Sequence, residues 1–235
     1  MTVISSPHNP SLTQLRRLAR RPARERSGRF VAEGEDLLDA ADAAGWEPIE
    51  RFCRAGSGLA GREVEAAALG AVSSLGSGSR ALAVYEQRWA APTGPLCVYL
   101  HGVADPGNVG AVLRAALAFG GASVVLGPGC ADPYGPKAVR ASMGALFGIP
   151  IARAAGVVEL PGERIALVPH AGERLRGPLS PGACVTLVVG AERAGLDEQT
   201  VAACERSAHI EIAGDSLNAA MAATVALYEL TRIAT

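Results

Sequence analysis

The sequence predicts an α/β protein built as two domains, residues 1–90 and 91–235, the second around a mostly parallel sheet. Three observations carry this. From Leu96 onward, apolar runs of strand length alternate with helical periodicity, the pattern of a sheet covered on both faces. Before that point the alternating elements are smaller. Between the two regions, Ala90-Ala91-Pro92-Thr93-Gly94-Pro95 has linker composition. With 235 residues and 49% apolar composition, the chain can bury one large core or two modest ones.

In the front region, Leu12, Leu15, Leu18 and Ala19 recur at helical spacing and predict an amphipathic first helix that Pro22 limits. Strands are expected at 29–33, 48–52 and 81–86, and helices at 35–44 and 62–69. Leu75-Gly76-Ser77-Gly78-Ser79 is expected to be flexible. In the second region, strands are expected at 96–101, 122–127, 149–153, 164–169, 184–190 and 208–212, and an alanine-rich final helix at 219–230.

Net charge is −1, but its distribution is uneven. Residues 1–30 hold Arg16, Arg17, Arg20, Arg21, Arg24, Arg26 and Arg29 against the single acid Glu25, a local charge of +6. A solvated helix face usually interleaves both signs. A run of one sign points instead toward a polyanion, and Arg16, Arg17, Arg20, Arg21, Arg24 and Arg26 are the candidate RNA-binding set.

Other classes are disfavoured. Cys53, Cys97, Cys130, Cys184 and Cys204 are odd in number and contain no CxxC pair, so neither a disulfide framework nor a zinc site is expected. A reducing cytoplasm fits this usage best. The start MTVISSPHNP lacks the apolar core of a signal peptide, and no run reaches the roughly 18 residues of a membrane span.

Four stretches carry chemistry. In His101-Gly102-Val103-Ala104-Asp105-Pro106-Gly107-Asn108, a strand ends in a Pro-Gly turn that delivers Asn108 to a helix start, the place where α/β sheets bind ligands. Asn108 is placed to cap that helix, and Arg114 lies one turn beyond Gly110. Capping alone accounts for Asn108, and an exposed helix face accounts for Arg114. In the second stretch, Pro136 opens a helix with Lys137 and Arg140 near its beginning. Two cations beside a positive helix end suit a bound phosphate, or equally a solvated surface.

The third stretch, Gly190-Ala191-Glu192-Arg193-Ala194-Gly195-Leu196-Asp197, is a glycine-punctuated loop leading to a helix capped by Asp197. It lacks the GxGxxG order of a dinucleotide loop, and Glu192 at a strand end calls for a cation or a donor-rich partner. In the fourth, Gly214-Asp215-Ser216-Leu217-Asn218, Ser216 and Asn218 precede the final helix and can serve as its caps. That helix is apolar nearly all round, which suits burial or a subunit interface.

The order and spacing of Asn108-Val109-Gly110 with Arg114, the 190–196 loop and Ser216-Leu217-Asn218-Ala219-Ala220 resemble the SpoU branch of the SPOUT RNA methyltransferases (TrmH-like enzymes). The segment Asp132 to Phe147 looks like the family's middle segment. The front region, with Asn9-Pro10 and Phe30-Val31-Ala32-Glu33-Gly34, is similar to a ribosomal-protein-like substrate domain. The loop departs from the family's common Gly-Asn-Glu-Gly, reading Gly190-Ala191-Glu192-Arg193, and the turn before Ser216 is shorter than usual.

The resemblance implies a trefoil-knotted C-terminal domain, S-adenosyl-L-methionine as cofactor, a homodimer joined through that domain, and 2'-O-methylation of structured RNA, ribosomal or transfer. By motif, Arg114 takes the central role, with Asn108, Glu192, Ser216 and Asn218 orienting it, the ribose and a phosphate. Cofactor contacts fall at Val168, Pro169, His170, Gly190, Glu192, Leu196, Ile210, Leu217, Asn218 and Ala219. Lys137 and Arg140 join the arginine helix as RNA contacts. Two other readings stand beside this one. A catalytically silent RNA-binding or assembly factor would have lost the Asn108, Arg114 and Glu192 set, which is present. A base methyltransferase on the same knot would generally lack Ser216-Leu217-Asn218.

Overall fold

The structure is a computed structural model that describes residues 3–74 and 79–232. Residues 75–78 of the stretch expected to be flexible lie outside the described residues. In chain order the elements are α1 (Pro10–Leu18), α2 (Arg21–Ser27), β1 (Arg29–Glu33), α3 (Glu35–Ala43), β2 (Glu50–Arg54), β3 (Arg62–Val64), α4 (Ala66–Gly70) and β4 (Ala81–Glu86). Then follow β5 (Leu96–Leu100), α5 (Pro106–Ala118), β6 (Ser123–Leu126), α6 (Pro136–Ala141), α7 (Ala145–Gly148), β7 (Ile151–Arg153) and β8 (Glu163–Leu167). The chain continues with β9 (Glu173–Arg174), β10 (Val185–Val189), α8 (Glu198–Ala202), β11 (Arg206–His209) and α9 (Ala219–Thr231).

These elements form two compact units, one of Met1–Gln87 with Asp132–Gly148, the other of Arg88–Ala131 with Ile149–Thr235. The units therefore interleave along the chain, whereas the sequence reading divided it once, near residue 90. The reason lies in the aromatic residues of the first unit. Phe30, Trp46 and Tyr85 meet Tyr134 and Phe147 with ring centroids 4.8 Å apart for Phe30–Tyr134 and 5.2 Å for Trp46–Phe147. Trp46 Nε1 also donates to the Phe147 carbonyl at 2.9 Å. Such rings bury large apolar areas, so the 132–148 segment is held where they are.

The sheet of the first unit runs β1-β4-β2-β3, antiparallel except for β2 and β3. Leu12, Leu15 and Leu18 of α1 pack on Phe52, Leu69 and Leu82. Asn9 caps α1 by accepting from the Ser11 amide at 3.0 Å, with Pro10 at the first helical position. Two expectations are corrected. Pro22 opens a second helix, α2, because a proline in a first turn loses no hydrogen bond. The 62–69 helix is the strand β3 followed by α4, since Arg62 to Val64 pair with Phe52 to Arg54.

Arg24 is a third correction. It is 4% exposed rather than turned to solvent. Its Nε and Nη2 donate to Asp132 Oδ2 at 2.8 and 2.7 Å, and its Nη1 donates to the carbonyls of Leu18 and Ala19 at 2.8 and 2.9 Å. The guanidinium thus closes the carbonyl end of α1 and is unavailable to RNA. Asp132 Oδ1 accepts from the Tyr134 amide at 2.9 Å, so both carboxylate oxygens are used. Of the remaining candidates, Arg16 donates to the Pro7 carbonyl at 2.6 Å and Arg21 pairs with Glu25 at 2.8 Å. Arg17, Arg20 and Arg26 are exposed, as are Lys137 and Arg140.

The second unit carries seven described strands in the order β7-β6-β5-β10-β8-β11-β9, all parallel. β5 and β10 are buried along their whole length, as a strand covered on both faces must be. The last expected strand, 208–212, is observed two residues earlier as β11, and β9 was not anticipated, being too short to show a pattern. α5 and α9 pack against each other, with Phe119 and Tyr228 edge to face at 6.1 Å. Among the described residues no helix is long and apolar enough to cross a membrane.

Candidate active site

The carboxyl ends of β8, β10 and β11 open into a pocket of about 310 Å³, within the range of small-molecule sites. Val168, Pro169 and His170 follow β8 and form one wall. Gly190 through Leu196 follow β10 and form another, while Ile210, Ile212, Ser216, Leu217, Ala219 and Ala222 close the third. Of the cofactor positions expected from the sequence, all but Asn218 line this pocket. Ala191, Arg193 and Ala194 of the expected 190–196 loop line it too, as do Ile212 and Ala222, which were not among the expected positions. Ile212 was legible as the apolar position alternating with Ile210.

Local chemistry shapes the middle wall. Ala191 and Gly195 exchange backbone hydrogen bonds at 3.2 and 2.9 Å, with Gly195 at φ +66°, so the chain turns back within three residues. Gly190 sits under this turn. A Cβ there would lie 2.5 Å from the Gly195 carbonyl oxygen and 2.6 Å from the Leu196 amide nitrogen, so glycine alone admits the approach. Asp197 caps α8, accepting from the Thr200 amide at 2.7 Å and its hydroxyl at 3.0 Å. Those two donors, then the nearby His101, hold the Asp197 carboxyl below its ordinary range. His101 Nε2 lies 3.1 Å from Asp197 Oδ2, and His101 Nδ1 lies 3.4 Å from the hydroxyl of Tyr99, whose pKa burial pushes up to about 12.

Asn108 does not cap α5. Asp105 does, accepting from the Gly107 and Asn108 amides at 2.6 and 3.1 Å ahead of Pro106 at the first helical position. The Asn108 side chain is freed for a different task. Its Nδ2 donates to Glu192 Oε1, and its Oδ1 accepts from Asn218 Nδ2 at 3.0 Å. Asn218 Oδ1 in turn accepts from the Ala220 and Met221 amides at 2.9 and 3.3 Å, capping α9. The amides at the start of α9 fix the direction of this chain: each asparagine presents its oxygen toward α9 and its NH₂ toward Glu192.

This relay joins the three motif stretches in space. Ser216 is exposed on the pocket wall. Arg114 is exposed on α5 without a hydrogen bond or ion pair among the described residues, and it does not line the pocket. The arrangement offers a small, largely apolar pocket bordered by a fixed carboxylate, amide donors and a hydroxyl, with the Arg114 guanidinium outside that lining on α5.

Known proteins resemble this chain in sequence and in fold. A 23S rRNA (uridine(2479)-2'-O)-methyltransferase of Streptomyces viridochromogenes is 36% identical over 148 residues, covering 54% of this chain and 49% of that protein. The 23S rRNA (guanosine(2553)-2'-O)-methyltransferase RlmP of Bacillus subtilis is 33% identical over 141 residues, covering 56% of each. This chain spans about half the length of the curated relatives it matches. Among solved structures, an AdoMet-bound rRNA methyltransferase from Sinorhizobium meliloti superposes with a TM-score of 0.83 at 29% identity, covering 97% of this chain and 96% of that one. The SpoU methyltransferase AviRb from S. viridochromogenes, in complex with AdoMet, gives 0.84 at 26% identity over 96% and 98%. The model of the SpoU rRNA methylase family matches residues 95–228. That match takes in more than half of the chain and every wall of the pocket, and the protein belongs to the SpoU rRNA methylase family.

Proposed function

We infer that this chain transfers the methyl group of S-adenosylmethionine to a ribose 2'-hydroxyl of structured RNA. The observation that carries the reading is the Asn108–Glu192–Asn218 relay, which gathers the three motif stretches beside one ligand-sized pocket. Ribosomal RNA is favoured over transfer RNA because the two relatives described above are enzymes of 23S rRNA.

The pocket fits the cofactor. Leu196, Ile210 and Leu217 provide apolar faces for a purine, and Gly190 brings backbone groups close where a side chain would intrude. When bound, the cofactor supplies an electrophilic methyl group on a sulfonium sulfur. The protein must position the attacking hydroxyl and stabilise the negative charge that grows on its oxygen. A guanidinium keeps its proton under ordinary conditions, so Arg114 serves as a charged donor rather than a base. Glu192, held by Asn108, and the hydroxyl of Ser216 orient the ribose and that donor. Asn218 keeps Asn108 in register.

Gly190→Ala is expected to weaken cofactor binding at least about tenfold while the fold persists, because the added methyl must displace the backbone of the 191–196 turn. Calorimetric titration with S-adenosylmethionine checks this. An unchanged affinity would place the cofactor elsewhere.

Three finer readings accompany the activity. Support for a trefoil knot comes from the segment between β8 and β10, which lies against the last turn of α9: the Leu179 amide donates to the Leu230 carbonyl at 2.9 Å, and the Gly177 amide to Glu229 Oε1 at 3.1 Å. Support for a homodimer comes from Met221, Val225 and Tyr228, an exposed apolar stripe along α9 at helical spacing, with Leu117 exposed on α5. Light scattering at twice the 24.0 kDa chain mass is the expected result. A cytoplasmic location is supported by five free cysteines.

The function is tested by incubating the protein with methyl-labelled cofactor and separate pools of ribosomal and transfer RNA. Label in the ribosomal pool is expected. Label confined to transfer RNA would reverse the substrate preference, and label in neither would favour a silent RNA-binding factor.

A further inference from the structure

Adjacent residues of the 190–196 loop have different fates. Glu192 is committed to Asn108. Arg193, the next residue, is exposed at the rim of the pocket and makes no hydrogen bond or ion pair among the described residues. It stands at the apex of the three-residue turn that the Ala191–Gly195 pair closes, so its backbone is already fixed and only side-chain freedom is lost on binding.

The loops around it are acidic. Asp105 follows β5, Glu192 and Asp197 follow β10, and Asp215 precedes α9. An RNA strand carries one negative charge per nucleotide, and bringing it to these carboxylates without cations would be repulsive. The local histidines are occupied, His101 beside Asp197 and His170 against the Asp215 carbonyl at 2.8 Å. Among the described residues, Arg114 and Arg193 are the arginines of these loops and of α5 without a carboxylate partner, and the proposed function gives Arg114 to the reacting hydroxyl.

We propose that Arg193 binds a phosphate of the substrate RNA next to the target ribose and so sets the position of the strand over the pocket. The assignment rests on the ribose-methylation reading and gives it a positioning residue outside the Asn108 relay. A phosphate is favoured over the cofactor's carboxylate because Arg193 is exposed at the pocket mouth, where a large polyanion must pass.

The test compares the full chain with Arg193→Ala and Arg193→Lys on unmodified ribosomal RNA transcribed in vitro. For Arg193→Ala the KM for RNA should rise about tenfold, as for loss of one charge-assisted hydrogen bond. The slope of log affinity against log salt should fall by about one. Lysine should restore most of the salt slope. If the native chain methylates ribose and Arg193→Ala matches it in KM and salt slope, this assignment alone fails. Weakened cofactor binding with RNA binding intact would give the guanidinium to the cofactor's carboxylate and overturn the proposal. If the native chain labels no RNA, the ribose-methylation reading fails and the assignment with it.

Discussion

Arg114→Ala is expected to lower kcat for RNA methylation by roughly 10²- to 10³-fold, the usual loss when a charged donor to a developing oxyanion is removed. The affinity for S-adenosylmethionine should be unaffected, since Arg114 does not line the pocket. Its position explains why the effect should fall on kcat. α5 is anchored at its start by the Asp105 cap and tied through Asn108 to Glu192, so the helix that carries Arg114 is fixed against the pocket loop. The side chain itself makes no hydrogen bond or ion pair among the described residues. Arg114→Lys separates charge from shape: partial recovery would show that positive charge is the main requirement, and no recovery would show that the planar fork is needed. A native kcat in Arg114→Ala would remove this residue from the chemistry.

The largest stability effect is expected at Asp132. Arg24 and Asp132 have side chains only 5% and 8% exposed, and all three guanidinium nitrogens and both carboxylate oxygens are hydrogen-bonded. Asp132→Ala leaves the Arg24 charge buried without its partner, which should cost about 3–5 kcal/mol in urea unfolding of the full chain. The cost is that of an uncompensated charge and is larger than the net worth of the pair. Asp132→Asn keeps an acceptor and should therefore lose less. A loss below about 1 kcal/mol for alanine would mean that water reaches the guanidinium and the pair behaves as a surface one.

What the sequence discloses follows from how local its causes are. β1 and β4 were legible to the residue because alternation and flanking turn residues define them, Gly28 and Gly34 around the first in particular. The parallel sheet was legible from its apolar runs. The cap of α5 was misassigned because asparagine and aspartate both cap, although Pro106 at the first helical position marks Asp105 as the capping residue. Burial of Arg24 had no local sign, since its partner is 108 residues away. The interleaving of the units was hidden for the same reason: Tyr134 and Phe147 look like ordinary helix-flanking residues until Phe30 and Trp46 are beside them.

The pocket walls were identified through motif resemblance, and periodicity alone would have given only strand ends. The side-chain relay among Asn108, Glu192 and Asn218 could not be read from spacing, because it depends on loops 84 and 110 residues apart meeting in space.

The central claim, methylation of a ribose in ribosomal RNA, is tested most directly by mass spectrometry of nucleosides. Unmodified ribosomal RNA is incubated with the full chain and S-adenosylmethionine, then digested to nucleosides. The account predicts one new nucleoside whose added methyl remains with the sugar fragment. A methyl that remains with the base fragment, or no new nucleoside at all, would contradict it.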